Sequence, residues 1–365
     1  MGDGMRSDSM STIADCWPEG GLETVPRCPV CGGSERALVH ANLLDRVFGC
    51  APGKWTLQEC GGCGSAYLDP RPTLATIGLA YQEYCTHAPA GVVEYATASR
   101  WRRFRIAQRN GYLNSHYGYQ LQPAGRVPLW MSDARRRRFD SFTGYLRFPG
   151  AGARVLDIGC GNGCFLLQMR SLGWEVCGVE PDPQAAARAR ASGLEVRDGL
   201  LQQHSWPDES FDAVTLNHVI EHLHDPLGTL RRSWKLLRPG GWIKVTTPNF
   251  GSWGHQKFGA DWMPLDPPRH LVLFTENSLR QALAGCGFTV LRAPHLSLKA
   301  RELFKQSAII RRGGEPLTKR SKLPLPSRFR VEWLAWQANR AARKSPALTE
   351  ELVLLGQKPP CCATT

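Results

Sequence analysis

Val155-Leu156-Asp157-Ile158-Gly159-Cys160-Gly161-Asn162-Gly163-Cys164-Phe165-Leu166 is an apolar strand that runs into a glycine-rich turn and at once into a helix. Glycines at such a turn let backbone N–H groups approach a ligand at the helix N-terminus. The spacing is G-x-G-x-G, with Cys164 where the dinucleotide fingerprint needs a third glycine. The downstream order supplies the context that a lone glycine turn lacks. A second strand, Trp174 to Val179, ends in Glu180, and Pro181-Asp182-Pro183 opens an Ala/Arg-rich helix. An acidic residue at the tip of that strand is placed to hold the two hydroxyls of a ribose. Strands follow at Leu194–Arg197, Phe211–Asn217 and Trp242–Thr246. A helix with Leu227, Leu230, Trp234 and Leu237 on one face precedes the fifth strand and stops at Arg238-Pro239-Gly240-Gly241. Strands alternating with helices predict an α/β fold with a doubly wound parallel sheet.

The ordered motifs VLDIGCGNG, GVEPD, SFDAVTLNHVIEHLHDP, LLRPGGWIKVTTPN and PPRHLVLFT resemble those of class I S-adenosylmethionine-dependent methyltransferases over roughly residues 151–294. The resemblance implies a Rossmann-like seven-stranded sheet whose last strand is Glu351–Gln357. It also implies that Gly159, Gly161 and Gly163 border the amino acid part of S-adenosyl-L-methionine and that Glu180, beside Pro181, holds its ribose. Asp157 would fix the turn or meet the methionine ammonium, with Asn217 at the tip of the fourth strand. The adenine position falls near Leu200, beside Gln202 and Gln203, where backbone groups would hold the base.

Cys28-Pro29-Val30-Cys31 and Cys60-Gly61-Gly62-Cys63 form two C-x-x-C knuckles separated by 28 residues. Four thiolates make a closed tetrahedral shell suited to structural Zn2+. Thirteen cysteines without a disulfide-like clustering read as reduced thiols plus this metal site. Paired knuckles ahead of a methyltransferase domain resemble, over about residues 25–90, methyltransferases of sugar and cell-surface polysaccharide pathways. That resemblance implies a nucleotide-sugar or envelope precursor as acceptor, methylated on oxygen or carbon. Sugar C-methyltransferases carry a sizeable C-terminal domain, whereas roughly fifty residues separate the sixth and seventh strands here. The Val219-Ile220-Glu221-His222 stretch also resembles the O-methyltransferases of ubiquinone synthesis, which makes a phenolic or quinone precursor the alternative acceptor.

Methyl transfer needs a group that aligns a nucleophile and removes its proton. His218, His222, His224 and His270 all fall beside the carboxyl ends of the predicted strands. His222 is the first choice as base and His270 the second, with Glu221 orienting one of them. Strand four ends in Asn217-His218-Val219-Ile220 rather than an Asn/Asp-Pro-Pro-aromatic tetrad, which speaks against methylation of nucleobase amines.

A net charge of +13 predicts an acidic partner, with small anionic acceptors ahead of RNA. Residues 301–344 hold twelve Lys/Arg against three Asp/Glu, and Arg135–Arg138 is a run of four. Phe329, Trp333 and Trp336 share one helical face among arginines. The expectation is a helix packed on the sheet with its charges outward, and the alternative is a helix lying on a membrane surface. No apolar run approaches a membrane span, and polar Met1–Asp15 lacks a signal core, so a cytoplasmic protein is expected. The predicted organisation is an N-terminus (1–24), a zinc-knuckle module (25–75), a helical cap (76–150), the cofactor-binding core (151–300), a basic helical insertion (301–350) and a last strand with tail (351–365). Within it, Gly313–Ser327 reads as a loop. A non-enzymatic zinc scaffold would require the glycine turn and Glu180 to have lost their ligand.

Overall fold

The computed structural model describes residues 16–81, 99–127, 131–293, 300–314, 316 and 323–360. The expectations for Met1–Asp15 and for parts of the 76–150 and 313–327 segments, and three of the thirteen cysteines (Cys85, Cys361 and Cys362), lie outside these residues.

Five strands belong to the N-terminal part: β1 (Leu22–Glu23), β2 (Arg36–Leu43), β3 (Trp55–Cys60), β4 (Ala66–Leu68) and β5 (Arg71–Pro72). Helices α1 (Arg100–Tyr117) and α2 (Asp133–Phe142) lead into the alternating core. There β6 (Arg154–Ile158), α3 (Cys164–Ser171), β7 (Glu175–Glu180), α4 (Pro183–Ala191), β8 (Glu195–Asp198), β9 (Phe211–Asn217), α5 (Pro226–Leu236) and β10 (Leu237–Pro248) follow in turn. The chain continues through α6 (Trp253–Phe258), β11 (Val272–Leu273), α7 (Glu276–Gly285) and β12 (Thr289–Arg292). It then runs through α8 (Ala300–Arg311), α9 (Leu325–Lys344) and β13 (Glu351–Gln357).

Seven strands pair in the order β12-β13-β10-β9-β6-β7-β8. All run parallel except β13, which lies antiparallel between β10 and β12. Val155, Leu156, Ala213, Val214 and Leu216 are buried, as a sheet covered on both faces demands. The strand order reverses at β6, so a crevice opens beyond the carboxyl ends of β6 and β9, where sheets of this kind bind ligands. The fifth core strand differs from its sequence reading. α5 ends at Leu236, and Arg238–Gly241 form the irregular start of β10, where the register with β9 shifts between Leu237 and Trp242. Gly240, at φ 80°, accommodates that irregularity.

A second sheet, β2-β3-β4-β11, joins the N-terminal part to the core, because β11 follows the Pro267-Pro268-Arg269-His270 segment and pairs with β4. Trp55, Leu57, Tyr67 and Leu68 share one hydrophobic core with Phe258, Trp262, Leu271 and Phe274. Arg269, fully buried, fastens the seam. Its guanidinium pairs with Asp45 and Asp266, donates to the Ala80 carbonyl at 2.9 Å and lies over the Phe48 ring. Removing one partner from such a buried network costs about 3–5 kcal/mol. Trp17 is also buried, edge-on to Trp55, and β1 pairs with β5, so residues 17–23 are part of this unit.

α1 and α2 pack through Tyr112, Leu113 and Phe139 against Val155, Met169, Trp174 and Ala213, beside the first halves of β6 and β9. Tyr112 and Tyr117 both donate to Asp140 Oδ1, which ties the two helices together. α9 buries Val331, Leu334, Ala335 and Ala338, but Phe329, Trp333 and Trp336 point outward. The packed face is therefore small and aliphatic, and the aromatic residues lie opposite to where a helix packed through them would put them. Among the described residues no helix is long and apolar enough to cross a membrane.

Candidate active site and metal centre

The turn after β6 is built as its glycines require. Gly159, Gly161 and Gly163 have φ of 68°, 55° and 80°. A Cβ at Gly159 would strike Val219 and one at Gly163 would strike Leu194, so these two are needed for the packing of the chain itself. A Cβ at Gly161 would meet nothing within 4 Å, so packing of the chain does not demand this glycine and space lies open on that side of it. Glu180 Oε2 accepts from Gly161 N–H at 2.7 Å and Oε1 from Asp182 N–H at 2.9 Å. Burial raises the Glu180 carboxyl above its ordinary value. Pro181 beside it is exposed.

Asp157 lies opposite Gly178 of β7 and Thr215 of β9 and is almost fully buried. Its Oδ1 accepts from the Thr215 hydroxyl and, at 3.1 Å, from the Asn217 amide, while Lys244 Nζ donates to Asn217 Oδ1 at 2.7 Å. Burial pushes the Asp157 carboxyl up to about 7 against the pull of these partners. These contacts tie the end of β6 to β9. Leu200 N–H donates to Gln203 Oε1 at 2.7 Å, and its carbonyl accepts from Gln203 N–H at 3.0 Å. A base recognised by the Leu200 backbone would have to replace that side chain.

The histidines separate into two groups. His218 follows β9 with φ 56°, its N–H donating to Thr246 O at 2.8 Å. Its Nδ1 lies 3.4 Å from Glu221 Oε1 and its Nε2 2.9 Å from Glu351 Oε1. Burial opposes the charge, but the two carboxylates outweigh it and hold the His218 imidazolium up to about 9. Glu221 is fully buried; despite that burial, His218, His222 and His270 hold its carboxyl down at about 2. His222 and His270 sit in the seam with the N-terminal unit. His222 Nδ1 lies 2.9 Å from Tyr81 Oη and 3.0 Å from Arg269 O, and His270 Nδ1 lies 2.7 Å from Pro264 O. Their rings meet edge to face at 4.7 Å. Burial and the neighbouring His270 push His222 down to about 4. His224 Nε2 contacts the Pro72 carbonyl at 2.9 Å, so it too faces the N-terminal unit. Glu221, His222 and His270 offer ligand atoms within 4.8 Å of one another, a carboxylate and two imidazoles that could accept a divalent ion.

The raised His218 pKa has a measurable consequence. Relative to an unfolded histidine near 6.5, its charge stabilises the fold fully below about that pH. That stabilisation is lost as pH rises through about 9. Melting temperature should therefore fall between neutral and alkaline pH by more in the native protein than in His218→Gln. Parallel declines in the two would dismiss the carboxylate–imidazolium pairing.

Cys28, Cys31, Cys60 and Cys63 converge, all four sulfurs lying within 4.8 Å of one another. Cys28 and Cys63 sulfurs are 3.7 Å apart and Cys31 and Cys60 sulfurs 3.4 Å apart. The edge of a tetrahedral Zn–S4 shell is about 3.8 Å, so the cluster matches the chemistry of a structural zinc site. Hydrogen bonds from Cys63 and Ser65 bring Cys28 down to about 4, whereas Cys63 is pushed up by Cys28 and by burial. Gly32 and Gly64, at φ 75° and 73°, make the knuckle turns, and their N–H groups donate to the Cys28 and Cys60 carbonyls.

Three participants escape the sequence reading. Glu351 is there only the first residue of a strand. That strand runs antiparallel, so its start lies at the carboxyl ends of its neighbours, and this is the available signal. Lys244 interrupts an otherwise apolar strand, a sign of a buried charge partner. Arg269 stands beside His270 with no local signal of the carboxylates it meets.

Residues 131–293 match the family described as a methyltransferase domain. The ubiquinone biosynthesis O-methyltransferase of Xanthomonas oryzae is 38% identical over 114 residues, covering 28% of this chain and 46% of that protein. The protein of the same name from Ruegeria pomeroyi is 38% identical over 128 residues, covering 32% of this chain and 52% of that protein. The chain thus spans about half the length of the curated relatives it matches. A solved S-adenosylmethionine-dependent methyltransferase from Archaeoglobus fulgidus is 22% identical, covers 62% of this chain and 92% of that one, and superposes with a TM-score of 0.41.

Proposed function

We propose that this chain, whose residues 131–293 form a methyltransferase domain, moves a methyl group from S-adenosyl-L-methionine to an oxygen of a small phenolic acceptor. Zinc in the four-cysteine cluster has a structural role in this reading. The observation that carries the proposal is His218 clamped between Glu221 and Glu351 beyond the same strand ends as the open side of Gly161.

The residues suit the cofactor. The Cβ position of Gly161 is empty to 4 Å, and Glu180 brings a buried carboxylate beside it. When bound, the cofactor supplies an activated methyl on a sulfonium. The remaining work is alignment and proton removal. Glu180 is the ribose partner, and Asp157, Thr215, Asn217 and Lys244 keep the turn in register. His218, held at about 9, is matched to a phenol near 10. Once it has given its own proton to solvent, as pH rises through about 9, neutral His218 can take the hydroxyl proton; below that pH its imidazolium stabilises a phenolate whose proton has gone to water. A sugar hydroxyl is a much weaker acid, and His218 suits it poorly. His222, pushed down to about 4 and engaged with Tyr81 and Arg269, orients the seam. The first choice of base thereby passes from His222 to His218. The names of the curated relatives favour the phenolic or quinone alternative over the sugar or envelope precursor expected from the knuckles. RNA and nucleotide-sugar acceptors have no comparable support.

The test uses cofactor with a labelled methyl and three acceptors: a catechol, a nucleoside-diphosphate sugar and bulk RNA. Label should reach the catechol oxygen at a rate that climbs with pH toward about 9. His218→Gln should slow transfer about 100-fold or more with cofactor affinity unchanged. Transfer to the sugar alone would overturn the phenolic reading. Slowing by His222→Ala but not by His218→Gln would return the base to His222.

A further inference from the structure

α9 carries a feature that methyl transfer does not use. Leu325, Phe329, Trp333 and Trp336 follow one another at helical spacing and are 65%, 73%, 56% and 56% exposed. They span about 16 Å of helix on the side opposite Val331, Ala335, Ala338 and Ala342, which are buried. Large apolar residues exposed singly are ordinary, but four in one stripe mark a surface that meets something. The stripe is edged by cations. Arg328 and Arg330 lie near its start, and Arg340, Arg343 and Lys344 follow it, against a single acidic residue of the helix, Glu332, which pairs with Arg301. The Arg340 guanidinium lies over the Trp336 ring at 5.6 Å, a cation–π contact on the exposed face.

We propose that α9 is a membrane-docking helix that lies in the headgroup boundary of an anionic phospholipid bilayer. Trp333, Trp336 and Phe329 would enter the acyl boundary, and the arginines would engage the lipid phosphates. The chemistry of the stripe selects this occupant. Tryptophan is the side chain best suited to that boundary, since its apolar ring and polar N–H match the two sides of the interface. The basic flank complements anionic lipid, adding attraction that salt weakens. A helix this long with polar residues alternating around it can lie on a bilayer but cannot span it. The proposal stands whether or not the methyl acceptor is a phenol.

The experiment is flotation of the whole protein with phosphatidylcholine vesicles, with and without phosphatidylglycerol, at low and high salt, together with tryptophan emission. Binding should require the anionic lipid, weaken with salt and shift emission to the blue. The exposed triple variant Phe329→Ser/Trp333→Ser/Trp336→Ser should bind at least tenfold more weakly while keeping the native circular dichroism and affinity for the demethylated cofactor. A native protein that stays free of anionic vesicles overturns the proposal, as does a triple variant that floats equally well. A concentration-dependent dimer in light scattering that the triple variant abolishes would assign the stripe to a second copy of this chain instead.

Discussion

Cys60→Ser is expected to release the zinc ion and unfold the N-terminal unit, with methyl transfer lost alongside. Cys60 is buried at the junction of β3 with the second knuckle, its N–H donating to Ser65 O and its carbonyl accepting from Gly64. A bound structural zinc supplies on the order of 10 kcal/mol of folding free energy, comparable with the whole stability of an ordinary domain. Damage should not stop at the knuckle. β4 begins three residues after Cys63 and pairs with β11, which begins two residues after His270. The Leu271 N–H donates to the Glu221 carbonyl at 2.8 Å, and Arg269 reaches across to Asp45. Zinc loss therefore loosens the wall from which Glu221, His222 and His270 are held. Elemental analysis with thermal unfolding checks this, and Cys16→Ser, an exposed thiol outside the cluster, serves as control. A native protein that carries no metal yet melts as a stable unit would refute the zinc assignment.

Glu180→Ala should weaken binding of the cofactor, measured with its demethylated product by calorimetry, about 100-fold or more. Two hydrogen bonds from ribose hydroxyls to a carboxylate are worth about 1.5–3 kcal/mol each. The same change leaves the Gly161 and Asp182 N–H groups without their acceptor, which loosens the turn. Because those N–H groups lie at a partly exposed edge that water can reach, the fold should survive. Glu180→Gln, which keeps an acceptor oxygen but loses the charge, should fall between the two. Unchanged affinity in both variants would remove Glu180 from the cofactor site.

Much of the arrangement is legible in the amino-acid order. The bounds of β9 coincide with their sequence reading, because it is a largely apolar run of strand length, and those of β13 coincide with what the family resemblance implied. The convergence of the four cysteines is legible because two tight turns leave little freedom in where the sulfurs point. The glycine turn is legible because positive φ at three positions within five residues is a local demand. By contrast, the start of β10 reads as a helix stop, since Arg-Pro-Gly-Gly satisfies the local signals of a helix end and an irregular strand start alike.

The sequence by itself determined the order of the α/β units, the glycine turn and the pairing of the two cysteine knuckles, because each is specified by neighbours within a few residues. Only the tertiary structure decided three other matters. Glu351 meets His218 because β13 inserts antiparallel beside β10, a pairing set by packing between distant segments. The N-terminal unit belongs to the core because β11 completes its sheet and Arg269 needs carboxylates from both sides of the seam. The aromatic stripe of α9 faces outward because the opposite face carries the small aliphatic residues that fit against the rest of the protein. Helical periodicity places residues on a common face; which face is buried depends on the surface it must fit.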